Sequence, residues 1–300
     1  MTPSSQPDPA RAFASVAALY DRVRPSYPVE AVEWMTGRLA STVVELGAGT
    51  GKLTDRLVEL GHDVLATDPL EEMLGFLRER HPDLRVAQAP AEAVPVATRS
   101  VDTVVAAQSF HWFDTDAALR EAARMLKPEG RIALVWNELD VRVPWVRRLK
   151  ALIGSPERDE DPTDVLVGST LFGYVEETTF RFWQPLRKAQ LRDLVATRSY
   201  VAVMDPMAQE RLLRKVDELY DANDTGPDGV LLPYVTRCYR AVVRPRGLID
   251  EPEHSADLTA AANAVREAKA AESTQSAESA GPTRPAEPAE DPATTLINFR

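Results

Sequence analysis

Short apolar runs and longer amphipathic stretches take turns along the first half of the chain. Residues 42–46, 62–68, 84–89, 101–107 and 131–136 are brief and rich in Val, Ile, Leu and Ala, which predicts strands. The run 101–107 is continuously apolar, the pattern of a strand covered on both faces. Helical spacing fills the gaps. Val32, Met35 and Leu39 share one face of a helix over 29–39, and further helices are predicted from Thr50 to about Leu60, over 70–80 and over 117–126. Lys127-Pro128-Glu129-Gly130 stops the last of these. Five strands separated by helices predict an α/β chain with a parallel sheet and right-handed crossovers.

The second half changes rhythm. Helices are expected over 144–153, 187–198 and 206–221, a charged loop over 155–163, and strands over 175–182 and 230–243. Helices inserted between the two late strands are placed to cover the carboxyl edge of the sheet as a lid.

One turn concentrates the candidate chemistry. Glu45-Leu46-Gly47-Ala48-Gly49-Thr50-Gly51 follows a predicted strand and opens a predicted helix, with Thr50 the expected N-cap. Three glycines remove Cβ atoms where backbone must bend and a ligand must approach. A strand, glycine turn and helix is where doubly wound folds bind nucleoside cofactors. A dinucleotide fingerprint needs glycine at position 52, which is Lys52. Glu45 would repel a pyrophosphate and attract a ligand carrying an ammonium and a sulfonium. Asp68 ends the second strand 17 residues after Gly51, where an acid accepts hydrogen bonds from ribose hydroxyls; it could also cap the next helix, and the two roles are not exclusive. After the fourth strand come Gln108-Ser109-Phe110-His111-Trp112-Phe113. His111 is a candidate general base near neutral pH, or a residue that positions the loop or bonds the cofactor. Gln108 and Asn137 end adjacent strands, so both are placed to face the pocket.

Composition narrows the class of partner. The net charge of −11 speaks against a nucleic-acid partner, and no apolar run reaches membrane-spanning length. The single cysteine, Cys238, excludes an intrachain disulfide, and the histidines have no metal-ligand spacing, so no metal is expected. Residues 1–11 are expected to be a disordered lead, 12–247 the folded domain, and 248–300 a disordered acidic Ala/Pro/Glu-rich tail. A cytoplasmic monomer or weak homodimer acting on a small molecule is the corresponding expectation.

The ordered set of motifs resembles the class I S-adenosylmethionine (SAM) methyltransferases of the small-molecule type, nearest the branch similar to trans-aconitate methyltransferases. The residues that carry it are Arg24-Pro25-Ser26-Tyr27-Pro28, Val44 to Gly51, Ala66-Thr67-Asp68-Pro69, Ala91-Glu92 before Val94-Pro95, Gln108 to Phe113, Leu126 to Arg131, and Leu232-Pro233-Tyr234-Val235-Thr236. The resemblance implies a doubly wound Rossmann-like seven-stranded sheet, mostly parallel with the last strand antiparallel. It implies SAM as cofactor, with the methionine moiety near Glu45, Gly47 and Gly49, the turn continuing through Gly51, the ribose on Asp68, and the adenine beside Ala91 and Glu92. Pro90 stands where many relatives have an acid, so a side-chain acceptor for the adenine amine is missing there. Tyr20 and Arg24 resemble residues that close over the cofactor, and Gln108 joins the cofactor-binding set. Two other readings remain at this point: a SAM-binding protein without catalysis, and an NAD-type oxidoreductase, which Lys52 and Glu45 oppose.

Overall fold

The computed structural model describes residues 17–154, 164–223, 226–227 and 229–245. The expected lead over 1–11, the charged loop over 155–163 and the tail over 248–300 lie outside them. The chain begins with helices α1 (Ala17–Val23) and α2 (Val29–Thr36), then runs β1 (Thr42–Leu46), α3 (Thr54–Glu59), β2 (Asp63–Asp68), α4 (Glu71–Arg80) and β3 (Arg85–Gln88). After β4 (Val101–Ala107) come a one-turn 3-10 helix (Phe110–Trp112), α5 (Thr115–Met125) and β5 (Leu126–Leu139). The second half holds α6 (Pro144–Ile153), α7 (Asp164–Gly168), β6 (Glu176–Leu186), α8 (Lys188–Ala196), α9 (Ser199–Ala202), α10 (Pro206–Asp221) and β7 (Val230–Val242).

The seven strands form one sheet in the order β3-β2-β1-β4-β5-β7-β6. β1 to β5 are parallel, and β7 lies antiparallel between β5 and β6. This is the doubly wound seven-stranded sheet that the motifs imply. The chain steps outward from β1 to β3, then returns to place β4 on the other side of β1. That reversal opens a crevice above the carboxyl ends of β1 and β4, where such folds bind ligands.

Alternation within β1 explains why the sheet is buried on both faces. Val44 and Leu46 join a core shared with Val104, Leu119, Leu134 and Phe110. Val43 joins the opposite core with Met35, Leu57, Val105 and Val135. A third apolar cluster lies at the end of the sheet where β5 runs out, β6 ends and β7 begins, with Leu139 opposite Tyr234 and Leu186 opposite Val230. Val146 and Leu149 of α6, Leu191 of α8 and Leu213 of α10 close it against Leu232 and Tyr234. The late helices therefore pack together at the carboxyl edge, as their position between late strands suggests.

Several boundaries differ from the sequence pattern for local reasons. The helix expected over 29–39 ends at Thr36 because Gly37 adopts φ +91°. Thr50 is not an N-cap: the helix starts only at Thr54, and the Thr50 hydroxyl is buried without a hydrogen-bond partner. The helix expected over 117–126 starts earlier, at Thr115, because the Asp114 carboxylate accepts the Ala117 N–H at 3.1 Å. Extended backbone begins at Leu126, and Glu129 takes φ +65° before the regular pairing of Arg131 with Thr103.

Candidate active site

The glycine turn leaves β1 with Gly47, Gly49 and Gly51 all at positive φ, +65°, +57° and +92°. Their reasons differ. A Cβ on Gly47 would stand 2.6 Å from Ser109 Cβ and 3.3 Å from Phe113 Cζ. A Cβ on Gly51 would collide with Leu77 of α4. A Cβ on Gly49 would meet nothing within 4 Å. Gly47 and Gly51 are thus bare so that protein can pack on the turn, whereas the space beside Gly49 is open.

Asp68 braces this turn. One carboxylate oxygen accepts the Gly49 N–H at 2.9 Å and the other accepts the Leu70 N–H at 2.9 Å. Asp68 is not the helix cap: Leu70 is the N-cap of α4, with no side-chain cap bond, and Asp68 instead holds the Leu70 N–H and fixes the glycine turn. Burial raises its pKa, and the two N–H donors oppose that shift. Each oxygen keeps a second lone pair for a hydroxyl.

Glu45 ends its strand almost fully buried, at 1 % exposure. Thr54 Oγ1 donates to it at 2.6 Å. Burial pushes its pKa up to about 8, the Thr54 hydroxyl bond works against that, and the charges of Asp55 and Asp68 add to it. No cation of the described residues forms an ion pair with Glu45. An incoming positive group would supply the missing charge, which suits an ammonium.

The loop after β4 crosses the crevice. Ser109 Oγ donates to the Leu46 carbonyl at 2.8 Å, tying the ends of β4 and β1 together. Gln108 adopts φ +58°, a conformation costly for a residue with a Cβ. Its side chain donates to the Asn137 carbonyl at 3.0 Å. Asn137 in turn donates to the Ser26 carbonyl at 3.1 Å and accepts from Thr236 Oγ1 at 2.7 Å. Gln108 and Asn137 do stand together at the carboxyl edge, but their amides are engaged in holding strand ends and the N-terminal segment.

His111 is exposed on the 3-10 turn, its ring 4.8 Å from that of Trp112. The aromatics around it divide: Phe110 is core, Phe113 borders Gly47, and Trp112 is 47 % exposed. Ala91 is buried in the same core as Phe110, and Glu92 accepts the Asp114 N–H at 2.8 Å. That bond joins the loop after β3 to the start of α5.

Tyr20 and Arg24 lie on the segment before α2. The Arg24 guanidinium sits 4.9 Å from the centre of the Tyr20 ring. It donates to Thr197 Oγ1 at 3.1 Å and to the Thr197 carbonyl at 3.0 Å. Thr197 is the C-cap of α8, where a cation is favoured. Gln184 holds the Val23 carbonyl at 2.9 Å, and Lys52 pairs with Asp21 at 3.2 Å. The segment is therefore strapped down at several points. Sequence reasoning missed Ser109 and Thr197 as positioning residues; a small polar residue two positions after the apolar run 101–107 was the available signal for Ser109, and none existed for Thr197.

Among the described residues, no cluster of His, Cys, Asp and Glu could hold a metal, and no helix is long and apolar enough to cross a membrane. Strand order, switch point, glycine turn and paired acids at the ends of β1 and β2 define the class I methyltransferase fold and its cofactor edge. Residues 44–134 match a methyltransferase domain model. The chain is 42% identical over 242 residues to an uncharacterized methyltransferase of Mycobacterium tuberculosis, covering 80% of this chain and 98% of the relative. Over 97 residues it is 38% identical to a malonyl-[acyl-carrier protein] O-methyltransferase of Methylococcus capsulatus, 30% of this chain and 35% of that one. A solved structure from Anaeromyxobacter dehalogenans assigned as a type II methyltransferase superposes with a TM-score of 0.56 at 25% identity, covering 74% of this chain and 97% of that chain. The chain belongs to the SAM-dependent methyltransferase family, and S-adenosyl-L-methionine is its cofactor.

Proposed function

We propose that this enzyme transfers a methyl group to a small-molecule acceptor, a carboxylate or another oxygen nucleophile, by in-line displacement. The observation that carries the site is the open space beside Gly49, whose N–H Asp68 holds, together with the buried carboxyl of Glu45 on the strand that leads into the turn. A buried carboxyl lacking a cation, an acid aimed at the glycine turn and a backbone free of Cβ match the three polar parts of the cofactor. In this reading Glu45 faces the ammonium, Gly47, Gly49 and Gly51 let the backbone approach, and Asp68 takes the ribose diol. Ala91 and Glu92 border the adenine, and Tyr20, Arg24 and Gln108 close the near side.

The bound cofactor supplies a methyl on a sulfonium whose leaving group is a neutral thioether, so no residue need act as acid on it. The chain's task is to orient the acceptor and exclude water. A carboxylate acceptor has no proton to lose, and His111 is then a wall of the pocket. For an acceptor with a hydroxyl, His111 is the candidate base. The identity to an O-methyltransferase over part of the chain supports oxygen as the nucleophile.

Calorimetry with SAM, S-adenosylhomocysteine and NAD tests the cofactor site. Binding of the first two and not of NAD is expected; NAD binding alone would overturn the reading. Release of S-adenosylhomocysteine on addition of carboxylates separates a working enzyme from a protein that only binds the cofactor.

A further inference from the structure

β6 ends the sheet, and among the described residues β7 is its one strand neighbour. The Asp140 N–H donates to the Pro233 carbonyl at 3.0 Å, so Pro233 turns its backbone toward the β5 side. Pro233 lies opposite Trp183 in the β6–β7 ladder. Backbone groups alternate sides along an antiparallel strand. Trp183 therefore turns its N–H and C=O away from β7, and Arg181, Thr179 and Glu177 do the same at every second position. Pro185 follows in that series and has no N–H to offer, which suits a proline to a sheet edge. Among the described residues no hydrogen bond reaches the outward groups of Glu177, Thr179, Arg181 and Trp183.

The same residues share one face of the strand, and each is exposed. Trp183 is 58 % exposed, and Leu231, opposite Pro185, is 57 % exposed. Glu177 and Arg181 form no ion pair among the described residues. The other face is engaged: Glu176 pairs with Arg240 at 2.7 Å, and Gln184 holds the Val23 carbonyl. An open edge of this kind is a template for another strand unless charge or shape deters it. Here two opposite charges stand four residues apart. They deter an apolar strand, but they complement this same strand run in reverse. Turned about Thr179, β6 sets Glu177 opposite the partner's Arg181, and Arg181 opposite the partner's Glu177. That register also brings Trp183 to the start of the partner's β6, beside Tyr174, which is 87 % exposed. A register centred on Arg181 fails twice. It opposes the two Arg181 charges and sets Pro185, which lacks a donor, against Glu177.

We propose that β6 pairs antiparallel with β6 of a second copy about a two-fold axis at Thr179, joining two sheets edge to edge in a homodimer. The interface is isologous, so each charge pair and each Trp183 contact occurs twice. β7, β5 and β4 stand between this edge and β1, so the pairing does not draw on the cofactor turn.

The test follows the mass of the full chain by light scattering across micromolar dilutions. Wild type is expected to run at twice the chain mass. Glu177→Arg and Arg181→Glu are each expected to weaken dimerisation at least about tenfold, because like charges then meet on both sides of the axis. An equal mixture of the two variants is expected to recover dimer, since every Arg of one chain again meets a Glu of the other. That recovery also shows both variants to be folded, and the double variant Glu177→Arg/Arg181→Glu should recover in the same way. Hydrogen exchange should show amides of residues 177–183 protected in the dimer and released on dilution. A monomeric wild type overturns the proposal. So do single variants that stay dimeric, which would place the contact on another surface, and a mixture that stays monomeric. Protection of these amides in a monomeric wild type would assign the edge to another segment of the same chain and likewise overturn the second copy.

Discussion

The Gly49 N–H donates to Asp68 at 2.9 Å, so the acid at the end of β2 holds the turn that leaves β1. One side chain shapes the cofactor loop and, in the proposed reading, also takes the ribose diol. Asp68→Ala should therefore weaken S-adenosylhomocysteine binding by about 1.5–3 kcal/mol through its charged hydrogen bonds, and loosen the turn as well. Calorimetry with an analogue lacking both ribose hydroxyls separates the two effects. The mutation should cost less for the analogue; an equal cost would show that the hydroxyls are not its partners.

Gly49 and Gly51 should respond differently to added bulk. A side chain at Gly51 meets Leu77, whereas one at Gly49 enters open space. Gly51→Ala should lower the melting temperature through overpacking, which costs about 1–3 kcal/mol. Gly49→Val should lose S-adenosylhomocysteine binding because the valine fills the approach, and should also lose some stability because φ +57° strains a β-branched residue. Intact affinity in a folded Gly49→Val protein would remove the cofactor from this turn.

Glu45 makes stability depend on pH. Its folded pKa is raised from 4.5 to about 8, so between those values the folded state holds a proton that the unfolded state has released. Stability attributable to Glu45 must then fall as pH rises through that window, with a slope of at most about 1.4 kcal/mol per pH unit. Glu45→Gln should flatten the slope in denaturant titrations. Cofactor binding near pH 7 should release a proton, detectable as a binding enthalpy that varies with buffer ionisation; an invariant enthalpy would mean Glu45 does not meet the ammonium.

The resemblance makes Tyr20 and Arg24 a lid that closes over the cofactor, yet Arg24, Ser26 and Val23 are already bonded to Thr197, Asn137 and Gln184. Hydrogen exchange of this segment should show the same protection with and without S-adenosylhomocysteine. A large gain on binding would restore the lid. Cutting the strap with Asn137→Ala leaves the Thr236 hydroxyl without its acceptor, and the loss should be about 1–3 kcal/mol of stability.

What the sequence determined by itself is local. The apolar runs of β1 and β4, the glycines after β1 and the acid after β2 are each set by the backbone rules of a few neighbouring residues. The parallel sheet and its cofactor edge follow from their order. The misread Thr50 marks the limit of that reasoning: a threonine after two glycines is a good cap by type, but the first helical turn forms four residues later. What the tertiary structure alone decided lies between distant segments. Arg24 and Thr197 are 173 positions apart and Asn137 and Ser26 are 111 apart, yet each pair shares a hydrogen bond. Arg198 looks like any surface arginine in sequence. Folding covers its charge and brings Arg24, rather than an acid, to its side. No periodicity or spacing records a missing counter-charge; it exists only once the chain has folded.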